Sequence, residues 1–236
     1  MSNEIIFIQL ARISFPNLIE PQVREKEDGS KIITYNCDLI LPPDHAGYKA
    51  FMLRFQSIAN EMWKDRAQGA MQQIHADRKS RCYGLGEERK NSKTFEVYSG
   101  YAGNVYISAS RSFDPVKNTG RPQIIKENGQ PVDAGDLVQY AHYTRQIYAG
   151  CYVNAAIKPW AQKNVHGNGI RCELIAIQFA KDGEPFGEAE VDVSGMFGAV
   201  AGGQPTSGVT FNPIDPSLTS PAASAMPGLP SFLGGN

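Results

Sequence analysis

Apolar and polar side chains alternate with period two through residues 147–160. Ala149, Cys151, Val153, Ala155 and Ile157 share one parity, and Tyr148, Tyr152, Asn154, Lys158 and Trp160 share the other. Successive side chains of a strand point to opposite faces, so this stretch predicts a central strand with one apolar face and one aromatic, basic face. Residues 5–15 predict an earlier strand, rich in β-formers and stopped by Pro16. A charged turn at 25–30 with Gly29 at its tip leads into a strand over 31–41, so residues 5–41 predict a long hairpin. Pro42-Pro43-Asp44 ends it, with Asp44 suited to cap a following helix.

From 46 to about 74 the period becomes helical. Phe51, Phe55, Ile58, Ala59 and Met62 recur at three- and four-residue spacing, which predicts an amphipathic stripe against the sheet, with Met52, Met62 and Met71 as core filler. Residues 76–93 predict a basic loop. A strand over 104–110 should place Val105, Ile107 and Ala109 inward and Tyr106, Ser108 and Ser110 outward. A polar loop follows over 111–123, then a hairpin turn at Asn128-Gly129, the central strand, a turn at 164–169, a strand at 170–179 and a turn at 181–184. From about 200 the composition shifts to Gly, Pro, Ser, Thr and Ala, which cannot bury enough apolar surface to offset ordering; a disordered tail is expected over 200–236. The remainder, 1–199, is expected to be one domain with a helical insertion at about 44–75.

Composition changes this picture little: 42% hydrophobic and 20% charged residues are ordinary for a globular chain with a real core. No apolar run approaches the roughly 20 residues that span a bilayer, and the N-terminus lacks a signal-peptide pattern. Cys37, Cys82, Cys151 and Cys172 lack tight pair spacing, so buried free thiols are expected. The net charge of −1 conceals an uneven distribution. Residues 54–93 carry nine Lys/Arg against five Asp/Glu, and 111–171 carry eight against four. From Cys172 onward there is one Lys against seven acids. Only a local field of this kind would steer a polyanion.

No catalytic pattern is present. Tyr83-Gly-Leu-Gly86 lacks the remaining spacing of a dinucleotide fingerprint, Ser194-Gly195 lacks the first half of a nucleophile elbow, and His45, His75, His142 and His166 have no metal-helix spacing. His75 and Cys82 have no second pair to complete a zinc set. Neither a cofactor nor an enzymatic activity is expected. Rings interleaved with cations suit a single-stranded nucleic acid, the rings for base faces and the charges for phosphates. The pattern alone leaves open a second layer that covers both faces of the central strand.

Seven segments in order resemble a phage family of single-stranded DNA-binding proteins of the OB-fold type. They are Arg12-Ile-Ser-Phe-Pro-Asn-Leu18, Leu39-Ile-Leu-Pro-Pro-Asp44, 101–110, Arg121-Pro-Gln-Ile-Ile125, 148–155, Gly169-Ile170, and Gln178 with Gly183-Glu184. The resemblance spans about 8–198. It implies a mainly β, α+β fold: an OB-like antiparallel barrel with an inserted helix. It also implies a protein that covers single strands during phage replication or recombination, in the cytoplasm of an infected bacterial host.

With the residue pattern, it gives a candidate interface. Tyr106, Tyr148, Tyr152 and Trp160 would stack bases, and Arg111, Arg121, Lys158, Lys163, Arg89 and Lys93 would neutralise phosphates. RNA is a second candidate ligand, since nothing in the pattern reads a 2′-hydroxyl. Replicative single-strand binders commonly end in an acidic tail, whereas here residues 200–236 carry only Asp215. Replication or recombination proteins of phage or host are the partners expected for the C-terminal region, through the apolar 229–233 segment. The acidic Glu184, Glu188, Glu190 and Asp192 would compete with DNA. The alternative from another class is a virion or assembly protein whose β-domain binds other proteins.

Overall fold

The computed structural model describes residues 5–187 except Glu27, Ala134, Val165 and His166. The expected tail at 200–236 and the boundary before it lie outside the described residues. Seven strands and three α-helices follow in the order β1 (Ile6–Glu25), β2 (Lys31–Leu41), α1 (Ala46–Trp63), α2 (Ala67–Ala76), β3 (Tyr83–Leu85), β4 (Val105–Ser112), β5 (Gln123–Ile125), α3 (Leu137–Arg145), β6 (Tyr152–Asn164) and β7 (Gly167–Lys181). β4, β2, β1, β6 and β7 are antiparallel neighbours in that order, and a parallel contact at Ser110 and Glu173 joins β4 to β7. That contact closes a five-stranded barrel. β3 extends β4, and β5 lies parallel on β7.

Alternation builds the core as expected. Ile8, Ala11 and Ile13 of β1, Leu39 and Leu41 of β2, Ile107 of β4, Val153, Ala155 and Ile157 of β6, and Leu174 of β7 are fully buried inside the barrel. The predicted stripe of α1 is present in Phe51, Phe55, Ile58 and Ala59, packed over β1 and β6. Met62 is exposed and Trp63 is buried in its place, because α1 ends there. Lys64 takes φ 49, and a single 3-10 turn over Lys64–Arg66 redirects the chain into α2, so the expected single helix is two. The four cysteines are free and buried.

Other expectations are corrected. Asp44 does not cap α1: His45 does, with Nδ1 accepting from the Gly47 N–H at 3.0 Å while Nε2 meets the Gln9 carbonyl at 3.0 Å. β1 does not stop at Pro16. Its register with β2 shifts between Ser14 and Asn17 and again before Gln22, with Phe15 at φ 48, so bulges absorb the prolines and pairing resumes. The central strand begins at Tyr152 rather than near Ile147, and it runs through Pro159 to Asn164. Among the described residues, β6 beyond Ile157 pairs with β7 alone, and Pro159 lies opposite Cys172 there. Residues 76–93 are not loop throughout, since they include β3 and a 3-10 turn. α3 has no counterpart in the predicted elements.

Tyr106 does face out of the barrel, yet it is only 3% exposed. It forms a second small core with Ile40 and Tyr101, onto which Val97, Tyr98 and Phe186 pack. Parity decided which way the ring leaves the sheet; residues 95–103 and 186 then covered it.

No helix among the described residues is long and apolar enough to cross a membrane. Two outcomes follow from this packing. Val153→Asp places an unpaired charge in the filled barrel and should leave the protein unfolded or aggregated in a thermal melt. The Tyr83 phenol, held among Phe51, Phe55 and His75, is pushed by burial up to about 12. An unfolded tyrosine releases its proton near pH ~10, so the folded state binds the proton more tightly. Its contribution to stability should be complete below that value and lost as pH rises toward about 12, seen as a falling denaturant midpoint. Tyr83→Phe should flatten that fall.

Candidate nucleic-acid interface

β1, β2, β4 and β7 carry a polar groove of about 630 Å³ on the outside of the barrel. Its floor is made of small or uncharged side chains, including Asn17, Thr34, Asn36, Ser108 and Ser110. Arg24 stands on the β1–β2 arm, Arg78, Arg81, Arg89 and Lys90 on the segment around β3, and Arg171 on β7. Several of these cations are held in place. Arg81 pairs with Glu88 at 2.9 Å, and Arg89 pairs with Asp38 at 2.8 Å while lying 4.3 Å from the Tyr106 ring centroid. Asp38 is 5% exposed, and Tyr101 donates to it at 2.6 Å while Ser108 donates to its other oxygen. Burial, and then the Asp38 charge, push the Tyr101 phenol far above the ordinary tyrosine range, so it stays a donor. One carboxylate therefore ties the second core to the groove wall.

At one end the groove opens on Phe15, 44% exposed, whose ring meets Tyr98 edge-on at 5.1 Å. Arg12, Phe186 and Tyr152 continue the aromatic and cationic surface away from it. The Arg12 guanidinium lies 4.4 Å from the Phe186 centroid and 6.0 Å from that of Tyr152. It is fixed by donation to the carbonyls of Gly150 at 3.1 Å and Glu184 at 2.7 Å. Lys181 stands 4.6 Å from the other ring, Tyr152. Gly150 makes the approach of the 182–187 segment possible: it takes φ 105, and a Cβ there would come within 2.2 Å of the Glu184 carbonyl oxygen.

The predicted residues distribute unevenly over this surface. Arg89 stands in the groove wall. Tyr152 belongs to the ridge, and Tyr148 sits beside it in the turn before β6, its hydroxyl bonded to Asp182 and to the Gly183 backbone. Lys158 and Trp160 lie about 20–26 Å along β6 from Tyr152, at 3.3 Å per residue. Trp160, 44% exposed, is opposite the groove residue Arg171, and Lys158 is opposite Glu173. Arg111 faces Glu173 at 3.7 Å, and Arg121 lies over Phe113 at 4.7 Å. Lys93 is exposed on the turn that starts at Asn91. Lys163 has the opposite parity from Trp160 and lines a different cavity, against the start of α2.

The pattern did not single out Phe15, Tyr98, Phe186, Arg12, Arg24, Arg171 or Lys181 as ligand contacts. Arg12 and Phe15 stood in the first segment of the resemblance and Arg171 in the basic 111–171 stretch; the others carried no signal in the pattern. A larger cavity between α1 and α2, about 850 Å³, is walled by Tyr48, Met52, Leu53, Phe55 and Met71 and carries only Lys49 and His75 as basic groups, so it lacks the charge a polyanion needs. Among the described residues no group of three His, Cys, Asp or Glu side chains could hold a metal ion. His75 instead meets the Tyr83 hydroxyl at 3.3 Å.

Comparison with known proteins agrees with this architecture. A putative protein, p50, of Acyrthosiphon pisum secondary endosymbiont phage 1 is 27% identical over 177 residues, covering 74% of this chain and 82% of its own. The single-stranded DNA-binding protein of bacteriophage Enc34, solved in complex with single-stranded DNA, superposes with a TM-score of 0.55 at 24% identity, over 79% of this chain and 91% of that one. The same protein solved without DNA gives 0.53 at 24% identity, over 82% and 89%. These likenesses establish the barrel as OB-like, as the family resemblance implied. The family model described as Enterobacter phage Enc34, ssDNA-binding protein, matches residues 4–201, and the chain belongs to that family.

Proposed function

We infer that the protein binds single-stranded DNA in phage DNA replication, and the observation that carries this is membership of the family over 4–201. The neighbour that shares its barrel was solved with single-stranded DNA bound. The groove and the ridge beside it give the reading a physical basis. A strand would lie with phosphates along Arg24, Arg78, Arg89, Lys90 and Arg171 and with bases over Phe15, Tyr98, Phe186 and Tyr152. Trp160, Lys158 and Arg111 would extend the contact along β6 and β4; Tyr148 would brace Tyr152, while Arg121 and Lys93 would act at the periphery. Tyr106 would act from beneath, as the platform for Arg89. The role read from family membership is binding without catalysis. Bases must be unstacked to reach the rings, so single strands should be preferred over duplex, with modest dependence on sequence. RNA would bind by the same contacts, and replication or recombination proteins of phage or host are the protein partners this role implies.

Titration of labelled poly-dT tests the reading. Affinity should fall steeply with salt, with a log–log slope of roughly −0.7 per neutralised phosphate. Equal affinity for blunt duplex and single strand at matched salt contradicts the stacking surface. Phe15→Ala and Tyr152→Ala should each weaken binding by roughly 1–3 kcal/mol while the protein stays folded. If both variants melt early and their folded fraction binds normally, the rings serve packing and the stacking assignment fails.

A further inference from the structure

The floor of the groove carries an ordered chain of amides. Asn17 and Gln22 stand five residues apart on β1, yet their partners Asn36 and Thr34 are only two apart on β2. The bulge that absorbs the difference brings both side chains within reach of Asn36. Asn17 Nδ2 donates to Asn36 Oδ1 at 2.8 Å and to the Phe15 carbonyl at 3.4 Å. Asn36 Nδ2 donates in turn to Gln22 Oε1 at 3.3 Å, and the Arg24 guanidinium donates to the same oxygen at 2.9 Å. Asn17, Gln22 and Asn36 are half-buried, and all of them line the groove with Arg24 and Phe15.

One cation sets the direction of this chain. A guanidinium has donors and no acceptor, so Arg24 holds Gln22 with its oxygen turned inward to the ladder. Asn36 must then offer its amide nitrogen to Gln22 and its oxygen to Asn17. Gln22 Oε1 is thereby occupied twice, while Gln22 Nε2 has no partner among the described residues and is not one of their buried unpaired atoms. Of the three ladder oxygens, Asn17 Oδ1 alone is left unoccupied among the described residues, at the Phe15 end. The middle of the floor therefore presents N–H groups from Gln22, Asn36 and Arg24 and no open amide oxygen. A glutamine that reads adenine needs both its oxygen and its nitrogen, whereas donors alone suit a carbonyl, as in the reading of guanine O6 and N7 by arginine. We propose that the Gln22–Asn36 ladder sets the base preference of the bound strand, favouring thymine and guanine, which present a carbonyl, over cytosine and adenine, which present an amino group at the same position. The proposal rests on the single-strand reading above. Asn17 is tied to the Phe15 carbonyl, so the ladder begins beside a stacking ring, and a base on that ring can turn its edge to the floor.

Competition measured by anisotropy on the full chain compares dT with dC oligonucleotides. A second pair is a dT oligonucleotide with interspersed hypoxanthine against the same one with adenine. Each pair matches ring size and phosphate number and differs where a carbonyl replaces an amino group. The expected preference is roughly two- to tenfold for thymine over cytosine and for hypoxanthine over adenine, the worth of one net hydrogen bond. Gln22→Glu keeps an oxygen toward Arg24 and turns the open N–H₂ into an acceptor, so it should weaken binding to all four strands and erase or reverse the preference. Gln22→Met should erase the preference and leave the salt slope unchanged. Thermal melts identify which variants are folded, and the wild-type comparison needs neither. Wild-type protein that binds both members of each pair equally overturns the ladder and leaves the functional reading standing. A preference that persists unchanged in either folded variant overturns it as well, because its source then lies elsewhere. Failure to bind any of the strands defeats the functional reading, and the proposal falls with it.

Discussion

Closure of the barrel through Ser110 and Glu173 is the constraint on which the rest of the structure depends. A small closed barrel fills its interior with its own side chains, here Ile8, Ile13, Leu39, Ile107, Val153 and Leu174, so no ligand can enter it. Recognition is thereby moved to the outer surface. The outward side chains of β2 and β4, Asn36, Ser108 and Ser110, are small or uncharged and leave a trough, and the cations come from neighbouring segments. The buried Asp38 then decides how the trough is walled: by accepting from Tyr101, Ser108 and Arg89 together, it couples the second core to the cation nearest the floor. A charge-assisted network of this kind holds geometry, since a buried carboxylate that lost one donor would be left partly unsatisfied.

How much of this was legible in the sequence depended on whether a period carried the information. The two faces of β6 followed from strict alternation, and Cys151, Val153, Ala155 and Ile157 are buried while Trp160 is exposed. The stripe of α1 was legible for the same reason. Alternation reports only the side of the sheet, however, and Tyr106 shows the limit: it points outward and is covered by a layer whose residues, Tyr98, Tyr101 and Phe186, have no periodic pattern. Proline misled at Pro16, because a bulge tolerates a missing N–H. Arg12 was part of a motif, but its place between Phe186 and Tyr152 depends on backbone contacts made by Gly150 and Glu184, distant in sequence. Long-range contacts of that kind leave no local signature.

The near-zero net charge is resolved at the level of individual cations. Arg81, Arg89 and Arg111 each face a carboxylate, so their charge is partly spent on position. Arg24, Arg78, Lys90 and Arg171 line the groove, and the carboxylate that lines it with them, Asp38, is already paired with Arg89. A field that is local rather than global favours a strand lying in the trough over indiscriminate attraction to the whole surface. The rings of Phe15 and Tyr98 stand where that trough opens, so charge and stacking act on the same stretch of ligand.

Photocrosslinking of a poly-dT oligonucleotide to the full chain, with the modified residues located by mass spectrometry, addresses the central claim most directly. The account predicts adducts at Phe15, Tyr98, Phe186 or Tyr152, around the groove and along its ridge. Adducts confined to the α1–α2 surface, at Tyr48 or Met52, with none on the groove or the ridge, would contradict it.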